Sequence, residues 1–80
     1  MNSMLMMDGT IETRRLLLDD LEGVKQVRAY KQKRLERMLA HKPLPGCEKI
    51  AARTRKRYQD EIEDLDRQIR LLEANLEGLG

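Results

Sequence analysis

The chain has 80 residues and is 40% hydrophobic, 38% charged and 2% aromatic, with a net charge of +2. A composition rich in Leu, Arg, Glu and Lys suits long amphipathic helices and argues against a sheet core, while so short a chain supports a core worth only a few kcal/mol. One cysteine, Cys47, and one histidine, His41, exclude an internal disulfide and fall short of a zinc ligand set, so no metal or other cofactor is expected and association between copies is left as the added source of stability.

In chain order, residues 1–9 read as a flexible tail. Met1 to Met7 holds Leu5 and four Met but neither a basic n-region nor a long apolar run, so no signal peptide is expected. Thr10 is a suitable N-cap with Glu12 in the first turn, which predicts a helix over 10–41 closing in a basic cluster at the negative end of its dipole. Gly23 inside that helix costs roughly 1 kcal/mol against Ala. The stretch Lys42-Pro43-Leu44-Pro45-Gly46 cannot continue a helix, because each Pro lacks an N–H and restricts the residue before it. A turn is therefore predicted over 42–46 and a second helix over 47–77, with Glu48 in its first turn. No stretch approaches the roughly 20 apolar residues of a membrane span.

The second helix repeats apolar residues at alternating steps of four and three: Tyr58, Ile62, Leu65, Ile69, Leu72, Leu76 and Leu79. That is a heptad seam. The first helix offers Leu17, Leu21 and Val24, then Val27 or Arg28, then Lys31, and finally Leu35 and Met38, so basic residues interrupt its middle. Leu16, Leu18, Leu39 and Leu71 lie beside the seams and widen the apolar stripe, which calls for more than one neighbour. The fold class is thus all-α: an antiparallel two-helix coiled-coil hairpin expected to dimerise into a four-helix bundle. The core of that dimer would be Leu17, Leu21, Val24, Leu35, Met38, Tyr58, Ile62, Leu65, Ile69, Leu72 and Leu76. In architecture, two such helices per subunit resemble the small plasmid-encoded RNA-binding dimers, a resemblance of fold alone.

A short linker should set residues level when their numbers sum to about 89, which places Lys25 opposite Asp64, Glu22 opposite Arg67 and Asp19 opposite Arg70. Tyr30 and Tyr58 then come nearly level and are expected to pack together. Charge is segregated along such a hairpin. Residues 25–57 hold twelve basic against two acidic residues, leaving +10, and the remainder holds four against twelve, leaving −8. The register sets Lys33 and Arg34 level with Arg55, Lys56 and Arg57, a like-charge contact that something must offset.

Two functions follow from that surface. In the favoured one the chain is a small non-catalytic interaction module, regulator or inhibitor of the type carried by phages and plasmids, a homodimer that binds a partner protein, with the basic end of one copy along the acidic end of the other. In the alternative the basic turn end, Lys33, Arg34, Arg37, Arg53, Lys56 and Arg57, grips nucleic acid. Neither Phe nor Trp is present to stack on single-stranded bases. His41 and Cys47 flank the turn with no third group to orient the imidazole, and the carboxylates at Asp60, Glu61, Glu63, Asp64 and Asp66 form a helical charge run; both are read as structural rather than catalytic. A lone thiol fits a reducing, cytoplasmic setting.

Overall fold

In a computed structural model of the chain, the backbone is described over residues 2–79 and the side chains over 11–79. Two helices, α1 (Asn2–Ala40) and α2 (Glu48–Leu79), fold back on one another as a hairpin. The Cα trace measures 69 × 14 × 14 Å with a radius of gyration of 18.9 Å, against roughly 12 Å for a compact globule of this length. The molecule is a rod. Among the described residues, no helix is long and apolar enough to cross a membrane.

α1 is already helical at Asn2, ahead of the start expected at Thr10. Met and Leu are good helix formers, and the single Gly9 weakens a helix without ending it. The tail expected over 1–9 therefore continues α1 from residue 2 onward, while its side chains, and that of Thr10, lie outside the described residues. The other boundaries fall within two residues of the periodicity, the scatter normal at frayed helix ends.

The reversal is built by Leu44-Pro45-Gly46-Cys47. The Cys47 amide donates to the Leu44 carbonyl at 2.9 Å, Pro45 supplies the fixed φ of the first central position, and Gly46 takes φ +87° at the second. That combination is a type II turn, whose second central residue must sit at positive φ. The Cys47 carbonyl then accepts from Ala51 N at 2.9 Å, the first bond of α2. Cys47 thus stands at the N-cap, half-buried with a free thiol.

The seams meet along the rod. Leu21, Leu35 and Ile62 are buried, and the other eight residues of the expected core, Leu17, Val24, Met38, Tyr58, Leu65, Ile69, Leu72 and Leu76, are half-buried. At the position the pattern left open, Arg28 takes the seam and Val27 remains 46% exposed. Few residues are enclosed because each helix has one neighbour, which covers only part of an apolar stripe about 100° wide.

Register is where the structure departs from the sequence reading. Arg28 meets Asp66 and Lys31 meets Glu61, so α2 is displaced by about one helical turn from the expected alignment. The expected pairs Lys25–Asp64, Glu22–Arg67 and Asp19–Arg70 do not form among the described contacts; Arg67 instead pairs with Asp64 on its own helix. The linker explains the shift. Residues 41–44 are non-helical, and extended chain advances about 3.3 Å per residue against 1.5 Å in a helix. The connector therefore runs past the end of α1 before reversing, and α2 begins beyond it.

Replacing Gly46 with Ala forces a Cβ into a positive-φ turn position and is expected to destabilise the hairpin by about 1 kcal/mol. Urea titration followed by far-UV circular dichroism measures it, and an unchanged midpoint would rule out the type II turn.

Candidate interaction surface

The middle of the seam is polar. The Arg28 guanidinium donates to the Asp66 carboxylate at 2.5 Å, and this hydrogen bond, with the attraction of the Asp66 charge, holds Arg28 above the ordinary arginine pKa. One turn on, the Lys31 ammonium stands 2.7 Å from Glu61 Oε2, an oxygen with no other hydrogen-bond partner, and lies 5.7 Å from the centre of the Tyr58 ring. The cations that interrupt the apolar repeat of α1 thus find carboxylates on α2. Ion pairs this exposed contribute little net stability, but they oppose any slide that separates them, which gives the hairpin a single alignment.

Toward the turn, Arg34 stacks on Tyr30 with its guanidinium carbon 5.8 Å from the ring centre. A side-chain hydrogen bond to Tyr58, then the influence of Tyr30 and Tyr58 as charges, raises its pKa. Tyr30 and Tyr58, expected to come nearly level, are offset by the one-turn displacement, which sets Arg34 level with Tyr58 while Tyr30 stays exposed. Arg57 also lies over Tyr58, at 5.7 Å, with its Nε 4.0 Å from Glu61.

Between the helix ends lies an open groove of about 480 Å³. Its floor is Met38, Pro43, Leu44, Ala51 and Tyr58, and its rim carries Arg34, Arg37, Lys42 and Arg55 beside His41, with no carboxylate. A second groove of about 730 Å³ runs along the other half of the rod. It is mainly apolar, lined by Val24, Val27, Leu65, Leu71 and Leu72, is deepened where Gly23 has no side chain, and carries Asp19 and Asp20 with no cation. Both open on one face: Gly23, Val27, Tyr30, Arg34 and Arg37 follow one another along α1 at steps of four and three, with His41 just past its end.

The six basic residues singled out from the sequence are divided by this geometry. Arg34 and Arg37 line the turn groove, Lys56 lines a polar groove on the opposite face with Gln32 and Gln59, Arg57 turns to Glu61, and Lys33 and Arg53 are exposed and line neither groove. The like-charge contact expected between Lys33–Arg34 and Arg55–Arg57 is narrowed by the register shift to Arg34 and Arg37 beside Arg55. Lys42 and Arg55 join the rim without having been singled out; the spacing of Arg55 from Ala51 and Tyr58 is the signal that places it on the same side of α2. His41 lines this groove. Among the described residues, no group of three or more His, Cys, Asp or Glu is placed to hold a metal ion.

No family model matches the chain, and no curated protein or solved structure shows significant similarity to it.

If the seam pair sets the alignment, Arg28→Asp and Asp66→Arg should each lower the melting temperature by placing like charges together, and the double exchange should recover most of the loss. Equal, additive losses in a thermal double-mutant cycle would remove the pair from this role.

Proposed function

We propose that the chain is a non-catalytic interaction module, a helical hairpin that pairs with a second copy and binds a partner protein through its remaining helical faces. One observation carries the reading: with the seam already filled, large apolar side chains on both faces stay open to solvent, among them Leu16 at 60%, Leu39 at 57% and Leu71 at 66%. Apolar rows rimmed by charge are the mark of surfaces that bind protein, and a stripe wider than one neighbour can cover suits a bundle. A reducing, cytoplasmic setting, suggested by the lone Cys47, belongs to the same proposal.

A second reading rests on the turn groove, where Arg34, Arg37, Lys42 and Arg55 meet no carboxylate. Such a rim attracts phosphate, and on this reading the tip binds a nucleic-acid backbone without sequence preference. The acidic half of the rod weighs against it, since Asp19, Asp20 and the carboxylates of α2 would repel a duplex lying along the hairpin.

Changing Arg34, Arg37 and Arg55 together to Gln separates the two. The interaction-module reading expects weaker self-association by sedimentation and no nucleic-acid binding by either the parent or the variant at physiological salt. Binding of duplex or single strands by the parent chain, lost in a variant whose self-association is unchanged, would reverse the order of the two readings. Capture of partners from native lysate with and without nuclease gives the same decision: protein partners retained after nuclease are expected, and their complete loss would favour nucleic acid.

A further inference from the structure

We infer that the face carrying both grooves is where a second copy of this chain docks, antiparallel, about a two-fold axis crossing α1 near Val27 and α2 near Leu65. The inference rests on the self-association proposed above and specifies its face, direction and register. Val27 and Leu65 line the same groove and are therefore level across the hairpin, so one axis passes both. Antiparallel two-fold packing of two hairpins lays α1 along α1 and α2 along α2.

The charges on this face select that direction. The turn groove has four cations and no carboxylate, and the other groove has two carboxylates and no cation. Antiparallel docking about this axis lays the acidic edge of one groove over the cationic edge of the other. With the axis at Val27, Asp20 comes level with the partner's Arg34, and Leu16 comes level with the partner's Met38, an apolar part of the turn-groove floor. On α2, with the axis at Leu65, Leu72 comes level with the partner's Tyr58. A parallel pair would instead set Arg34, Arg37, Lys42 and Arg55 against their own copies, where like charges repel one another across the interface.

The opposite face lacks this logic. Its groove mixes Arg55 and Lys56 with Asp60 and Glu63, so it neither repels nor selects a direction. Size also fits: a face about 14 Å wide overlapping for roughly 50 Å covers on the order of 700 Å², close to the ~800 Å² per partner of standard specific interfaces.

Cys47, the single cysteine, makes the arrangement measurable. It lies eighteen residues before Leu65, about 27 Å at 1.5 Å per residue, so spin labels on the two copies should be about 55 Å apart by pulsed dipolar spectroscopy. Because Cys47 is half-buried, a second pair of labels at Lys49→Cys in a Cys47→Ser background should lie about 48 Å apart. A distance under about 20 Å in a dimer overturns the direction, since a parallel pair brings the two turns together at helix-packing separations. No dipolar signal together with a monomer mass by sedimentation overturns the self-association itself. The long distance alone does not choose the face, so charge exchange does: Asp20→Arg and Arg34→Glu are each expected to raise the dimer Kd at least ten-fold, and the two combined to return it to within about three-fold. Single exchanges that leave the Kd unchanged, with the long distance retained, overturn the docking face.

Discussion

Everything in this molecule depends on how little of a helix another single helix can cover. Each helix of the hairpin presents an apolar stripe wider than a strict coiled-coil seam, but it has only one neighbour, and a single contact encloses Leu21, Leu35 and Ile62 while leaving their flanks half open. Burial contributes roughly 25 cal/mol per Å² of apolar surface, and fixing each residue's backbone costs about 1–2 kcal/mol. A rod of this kind is therefore short of buried area for the number of residues it orders. In the proposed association, the uncovered rows along its sides supply the missing area.

Charge decides what the apolar pattern leaves undecided. A uniformly apolar seam would tolerate sliding by one heptad, because Leu over Leu is nearly as good as Leu over Ile. Arg28 and Lys31 remove that degeneracy by requiring Asp66 and Glu61 opposite them. The same residues give up apolar burial at the centre of the seam, so alignment is gained at the expense of stability, a trade familiar from polar residues in coiled-coil cores. A second level of charge organisation acts on the outer face, where cations gather by the turn and carboxylates gather toward the termini. The first level sets how the hairpin closes. The second bears on what approaches it and in which direction.

Much of the fold was legible in the residues themselves. The proline and glycine of Pro45-Gly46 mark the turn, the four-three spacing from Tyr58 to Leu76 marks the seam of α2, and the eleven residues expected in a dimer core are buried or half-buried within the single hairpin. The register was not legible, because it depends on how far residues 41–44 travel before the chain reverses, and an extended linker residue advances about twice as far as a helical one. The displacement moves the cross-hairpin pairings by about a turn and leaves Arg34 stacked on Tyr30. The cations grouped at the turn end from the sequence lie on different faces of the hairpin. A list of neighbouring cations does not say which face each occupies, whereas the folded hairpin turns Arg34 and Arg37 to one side and Lys56 to the other.

The central claim is that the hairpin needs a second surface to complete its core. Sedimentation equilibrium and far-UV circular dichroism on the same samples, from tens of nanomolar to hundreds of micromolar chain, test it most directly. Coupled folding and association predict that dissociation from dimer to monomer coincides with loss of most helicity, because the isolated hairpin buries too little to offset its conformational entropy. A monomer that keeps full helicity across the whole range would contradict it.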